Sequence, residues 1–188
     1  MSTPESAVAA SLRRLYFVRF AFAVVWAALV VATASSFGPL TVALLVLYPL
    51  FDVAAAIVDA RSSKATGSAL GLYVNIGVSL LAAVGIGIAA SAGIPGVLRV
   101  WGLWAIVSGV VQLVVGVSRR KLGGQWAMIL SGGISTLAGT SFILQAGQPG
   151  ASLTNVAGYA VLGGIFFLVS ALRLGRTAKV ANVSAGTF

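Results

Sequence analysis

The chain has few side chains that could do chemistry, and one of them lies in an unusual place. It contains three acidic residues, no histidine and no cysteine, which excludes disulfides, thiolate nucleophiles and imidazole ligands. Asp52 is the only acidic residue well inside a long apolar stretch. Arg61, at the end of that stretch, follows it by nine residues, or about 13 Å along a helix. A carboxylate at that depth in a membrane is costly unless paired or hydrated, so Asp52 is a candidate functional residue.

Three polar residues of other apolar stretches fall at a similar depth, namely Arg19, Asn75 and Gln112. The long side chain of Arg19 could reach Asp52 on the neighbouring antiparallel helix. We therefore predict an intramembrane polar cluster of these four residues, with further candidate lining from Tyr48, Tyr73, Ser79 and Ser108.

Three roles for this cluster are open at this point. It could line a binding site that is open toward the cytoplasm, or it could hold helices together through hydrogen bonds worth about 0.6 kcal/mol each. Alternatively, Arg19 could extend to the headgroups without contacting Asp52. The predicted cluster lies in one half of the apolar stretches, and the other half has no comparable group of polar residues. A polar path across the whole membrane is therefore missing, which argues against an ion channel or a proton relay.

No nucleophile with its base, metal-ligand cluster or phosphate-binding loop occurs in the sequence. The sequence therefore predicts a protein that is not an enzyme and that needs no cofactor or metal.

The elements that must position these residues are transmembrane helices. Of the 188 residues, 59% are hydrophobic and 8% are charged, whereas a soluble domain has about a quarter charged residues. Six apolar stretches approach the roughly 20 residues that a span requires. They are residues 15–35, 40–58, 68–90, 97–117, 125–145 and 153–172. The sequence thus predicts an all-α integral membrane protein of three tandem hairpins, about 15–58, 68–117 and 125–172.

The ends of the chain are predicted to be tails, residues 1–14 and 173–188, with residues 1–11 and 180–188 disordered. Arg13, Arg14 and the segment Ala32-Thr33-Ala34 imitate a cleavable secretory signal. The length of the apolar stretch and the presence of Arg19 favour a retained first helix.

The distribution of basic residues predicts the orientation. Eleven of the twelve lie at one side of the predicted hairpins, and Arg99 alone lies at the other. Because lysine and arginine favour cytoplasmic loops, both termini are expected in the cytoplasm. These charges flank membrane spans and are not interleaved with exposed aromatic residues. They therefore predict contact with the bilayer and its anionic headgroups rather than with nucleic acid.

Glycine and serine predict close helix packing. Gly67 and Gly71 form a small-xxx-small pair, and Ser131, Ser135 and Gly139 continue that spacing in the fifth stretch. Such a surface serves either packing within the bundle or association with a second copy or another membrane protein.

An internal repeat relates the three hairpins. The segment from Tyr48 to Asp52 aligns without gaps with Trp104 to Ser108 and with Tyr159 to Gly163. In the helices between, Gly77-Val-Ser79 aligns with Gly133-Ile-Ser135. An aromatic residue followed four positions later by a small residue therefore recurs three times.

One part of this pattern resembles a known family. The basic loop and tryptophan of Ser118-Arg-Arg-Lys-Leu-Gly-Gly-Gln-Trp126, followed by the glycine-rich segment from Ile129 to Gly139, is similar to the HdeD family. The likeness is clearest from Trp101 to Arg173. It implies a small six-span protein of the bacterial cytoplasmic membrane that supports acid or stress tolerance.

Overall fold

A computed structural model of the chain describes residues 4–63, 70–118 and 126–185, and these residues form six α-helices. The helices are α1 Pro4–Thr33, α2 Pro39–Ser63, α3 Leu70–Ala89, α4 Gly93–Ser118, α5 Trp126–Gln145 and α6 Thr154–Ala185. A single 3-10 turn, Ala90–Ala92, connects α3 to α4. Within these three described ranges there is no β-strand, so this part of the chain is all-helical.

Five helical stretches in the described part of the chain are long and apolar enough to cross a membrane. They are Ala10–Thr33, Pro39–Arg61, Leu70–Val117, Trp126–Gln145 and Thr154–Gly175. Many large apolar side chains on them face outward, as in Leu81, Leu137 and Leu144. An apolar exterior is stable in lipid, so the protein is a multi-pass helical membrane protein.

The longest stretch, Leu70–Val117, folds back on itself. The chain reverses at Gly93, whose φ of 69° belongs to the left-handed region that favours glycine. Beyond the turn, α4 packs against α3, and a methyl group at Gly85 would lie 3.0 Å from Val100 Cγ1. The predicted span of residues 97–117 therefore begins too late, because α4 begins at Gly93. Proline is tolerated in the first turn of a helix, so Pro95 does not delay its start.

The first and last helices extend beyond the predicted spans. Residues 4–11 and 180–185 are helical, so the prediction that they are disordered is wrong. Pro4 is a favourable first residue of a helix, and the alanines that follow have high helix propensity. Apolar length predicts only the part of a helix that lies in lipid, so it misses these extensions.

The six helices form a ring of three closely packed pairs. The most extensive contacts are between α4 and α5, α1 and α6, and α2 and α3. Contacts between α1 and α2, α3 and α4, and α5 and α6 are smaller. The closest pairs therefore join neighbouring hairpins rather than the two helices of one hairpin, and α6 returns to pack against α1.

The main hydrophobic core lies at the end of the bundle where the three hairpins turn. Trp26, Trp101 and Phe142 are buried there. Phe37, Ala90 and Ala151 pack against this core, and they lie in or beside the α1–α2, α3–α4 and α5–α6 connections. All three connections are thus at the same end of the bundle.

Glycines bring α4 and α5 into backbone contact. A methyl group at Gly102 would lie 2.5 Å from the carbonyl oxygen of Gly139, and one at Gly132 would lie 2.7 Å from that of Gly109. Real Cβ atoms do not approach other atoms that closely. Since the paired glycines are seven residues apart on each helix, two turns of α4 and α5 are held together by backbone proximity.

The small residues predicted to pack have different surroundings. Gly139 lies in this α4–α5 contact, and Ser135 is buried. Ser131 is half-buried. Gly71 is exposed, and a methyl group there would have no neighbour within 4 Å among the described residues. Gly67 lies outside the described residues.

Candidate functional site

Asp52 on α2 is buried, and its carboxylate accepts hydrogen bonds from three side chains on two other helices. Its Oδ1 accepts a hydrogen bond from Nη2 of Arg19 on α1, and the two side chains form a salt bridge. Its Oδ2 accepts hydrogen bonds from Asn75 Nδ2 at 2.7 Å and from Ser79 Oγ at 2.9 Å, both on α3. Asp52 therefore joins α1, α2 and α3.

Ser79 extends this network to a fourth helix. Its hydroxyl oxygen accepts a hydrogen bond of 3.2 Å from the indole Nε1 of Trp104 on α4. Ser79 is completely buried, and its hydroxyl donates one hydrogen bond to Asp52 and accepts one from Trp104. A buried polar group that is fully hydrogen-bonded avoids the cost of desolvation without a partner.

The guanidinium of Arg19 also contacts α6. Its Cζ lies 4.0 Å from the centroid of the Phe167 ring, within the range of a cation–π interaction. Arginine suits this position because its planar guanidinium can stack on a ring while it hydrogen-bonds a carboxylate.

A small cavity adjoins the ion pair. It measures about 20 Å³ and is lined by Arg19, Phe22, Tyr48, Phe51, Asp52 and Phe167. Phe22 and Phe51 stack with their ring centroids 3.7 Å apart. A cavity of this size can hold one water molecule but not a metabolite. The side chains of Arg19 and Asp52 keep 14% and 12% of their surface accessible, so the pair is not completely sealed.

The structure brings together three of the four residues of the predicted cluster: Arg19, Asp52 and Asn75. Gln112 makes no hydrogen bond to Asp52, and its Oε1 is buried without a partner among the residues described. Trp104 is the α4 residue that reaches the network, and Gln112 lies eight residues, about 12 Å, further along that helix. The predicted depth of Gln112 was not accurate enough to show that Trp104, and not Gln112, is the α4 residue beside Ser79.

Of the other predicted lining residues, Tyr48 lines the cavity, whereas Tyr73 is exposed. Ser108 does not join the network, and its Oγ is buried without a hydrogen-bond partner in the described part of the chain.

The geometry agrees with the internal repeat. Trp104 on α4 donates to Ser79 on α3, and Tyr159 on α6 donates to Ser135 on α5 through its hydroxyl at 2.9 Å. The sequence alignment pairs these two aromatic residues with each other and these two serines with each other. The same aromatic-to-serine hydrogen bond therefore recurs in the second and third hairpins. The alignment of Trp104 with Tyr48 and Tyr159 was a signal for Trp104 that the prediction of the cluster did not use.

The three repeats differ at the position four residues after the aligned aromatic residue, and only the first hairpin has a charged residue there. Asp52 occupies it there, whereas Ser108 and Gly163 occupy it in the other two hairpins. The repeat therefore provides similar backbone positions, and one of them holds an ion pair.

The described residues contain no group of three or more histidine, cysteine, aspartate or glutamate side chains that could hold a metal ion. The arrangement around Asp52 can hold a positive charge and one water molecule beside it.

Comparison with known proteins found no similar family model, no similar curated protein and no similar solved structure.

Proposed function

We propose that all six helices cross the bilayer and that both termini lie in the cytoplasm of a bacterium. Leu70–Val117 contains 48 residues, about 72 Å of helix if straight, which is more than twice the roughly 30 Å of a hydrocarbon core. Its reversal at Gly93 supports a division into two spans, α3 and α4. In the sequence, eleven of the twelve basic residues lie toward the helix ends opposite the three turns, and Arg99 lies near the α3–α4 turn. This distribution supports a cytoplasmic location for the ends opposite the turns.

Within the membrane, the proposed role is that of a non-enzymatic protein that supports stress or acid tolerance by packing against membrane partners or lipids, as the resemblance to the HdeD family implies. The observation that carries this proposal is the polar network around Asp52. The network joins four helices, and within it the Ser79 hydroxyl both donates and accepts a hydrogen bond. The adjacent cavity is large enough only for water. Such a network is suited to holding a bundle in one arrangement.

The outer surface supplies the proposed contacts. Large apolar side chains on every helix face outward and suit lipid tails, a second copy or another membrane protein. Arg13, Arg14 and Arg61 are exposed at the end of the bundle opposite the turns. At that position they suit anionic lipid headgroups.

A second candidate is the binding or transport of a small solute or proton at Asp52. The specific observation in its favour is the partly accessible ion pair next to the cavity. An ionisable residue within a membrane is by default a functional candidate, and transporters carry their polar sites at such depths.

Growth after acid challenge separates the two candidates. A deletion strain of the source organism would be complemented with the wild type, Asp52→Asn, Arg19→Gln or the double variant, at matched membrane abundance. Arg14→Gln, which removes an exposed charge from the same helix, is the control.

The packing role predicts that the double variant restores growth as well as the wild type, because it removes both charges together. Loss of rescue by a folded and abundant double variant would support a working site at Asp52 instead. Failure of the wild type to restore growth would contradict a role in acid tolerance.

A further inference from the structure

The surroundings of Asp52 have the composition of a site for an organic cation. One carboxylate lies among four aromatic rings that line the same cavity, those of Phe22, Tyr48, Phe51 and Phe167. Aromatic faces attract weakly hydrated cations such as guanidinium and quaternary ammonium groups. A strongly hydrated metal ion would instead require several oxygen ligands, whereas most of this lining is hydrocarbon.

A guanidinium already occupies this place. Arg19 makes the two interactions that such a ligand would make, an ion pair with Asp52 Oδ1 and a cation–π contact with Phe167. It does so from the end of a long, flexible side chain anchored on α1.

The carboxylate has two hydrogen-bond donors other than Arg19. Asn75 and Ser79 hold Oδ2, whereas Arg19 binds Oδ1. If the guanidinium of Arg19 moved away, Asp52 would keep both hydrogen bonds from α3 and would present Oδ1 to a new donor. The space vacated would add to the existing cavity of about 20 Å³.

We propose that this pocket binds small organic cations of the guanidinium or quaternary ammonium type, and that Arg19 is a tethered occupant that such a ligand displaces. The proposal names the ligand class for the second candidate function and rests on it. A tethered group competes at a high effective concentration, so the wild type binds these cations more weakly than a variant without the guanidinium.

The test is direct binding to purified protein in detergent micelles. Saturable binding of methylguanidinium and of tetramethylammonium would be measured by calorimetry, with sodium chloride at equal ionic strength as the reference. The proteins are the wild type, Arg19→Ala, Arg19→Ala combined with Asp52→Asn, and Arg14→Ala as the matched control. If Arg19→Ala is not monodisperse, Arg19→Gln keeps most of the side-chain stem and still opens the site.

The expected result is that the Arg19 variant binds at least one of the two cations at least tenfold more tightly than the wild type and Arg14→Ala. Adding Asp52→Asn should remove the binding. Absence of saturable binding to folded Arg19 variants, or equal binding with and without the carboxylate, would overturn the site. Equal affinity in the wild type and the Arg19 variant would overturn the role of Arg19 as occupant.

These results are independent of growth after acid challenge. Binding that depends on Asp52, together with full rescue of growth by the double variant, would show that the site exists and that acid tolerance does not use it.

Discussion

The glycine contact between α4 and α5 predicts that two adjacent glycines respond differently to the same substitution. A methyl group at Gly132 would lie 2.7 Å from the carbonyl oxygen of Gly109 and 2.9 Å from the backbone nitrogen of Leu113. At Gly133, on the same helix, a methyl group would have no neighbour within 4 Å. Both positions are helical, so alanine raises helix propensity equally at each, by about 1 kcal/mol.

The difference between Gly132→Ala and Gly133→Ala therefore isolates the cost of steric overlap. Overpacking costs about 1–3 kcal/mol, and backbone atoms on both sides leave little room to relax. We expect Gly133→Ala to be neutral or slightly stabilising. Gly132→Ala should be less stable than Gly133→Ala by about 1–3 kcal/mol.

The assay is reversible unfolding in mixed micelles with increasing dodecyl sulfate, followed by helical circular dichroism. Comparable slopes of the two unfolding curves would show that stability, and not the extent of unfolding, has changed. Equal free energies of unfolding for the two variants would refute the backbone contact between α4 and α5.

Two further predictions concern the ion pair and the topology. Asp52→Asn and Arg19→Gln should each lower the free energy of unfolding by more than the double variant does. Each single change leaves one charge of a mostly buried pair without its partner, which costs about 3 kcal/mol. Additive effects in this double-mutant cycle would show that the two side chains do not interact. Since the sequence has no cysteine, single cysteines introduced at Ser11 and Gln148 report topology without background. A membrane-impermeant maleimide should label Gln148→Cys in intact spheroplasts and Ser11→Cys only after lysis, and the reverse pattern would contradict termini in the cytoplasm.

The sequence predicted those features of the fold and the site that the apolar membrane interior requires. The need for long apolar stretches predicted the helices, and the cost of an unpaired charge in lipid predicted that Asp52 has a partner. Depth along neighbouring helices then predicted that Arg19 and Asn75 lie near it, as they do.

Rotation about the helix axis could not be predicted in the same way. Lipid and bundle interior are both apolar, so the hydrophobic pattern does not indicate which face of a helix points inward. The error at Gln112 was instead one of depth, because Gln112 lies about 12 Å along α4 from Trp104, the residue that reaches the network. The spacing of Gly102 and Gly109 was visible in the sequence, but the α5 glycines that face them depend on how the two helices are rotated.

The close pairing of α1 with α6 also affects how the bundle is made. Membrane helices enter the bilayer in the order of their synthesis, so α1 is inserted first. The helix with which α1 makes its most extensive contact, α6, is inserted last. During that interval Phe20 and Ala23, which pack beside Gly164 in the finished protein, face lipid or the insertion machinery. Arg19 can meet Asp52 as soon as α2 is inserted, whereas its contact with Phe167 must wait for the sixth helix. The ion pair can therefore form while the chain is still being made, and the ring closes only after α6 has entered the membrane.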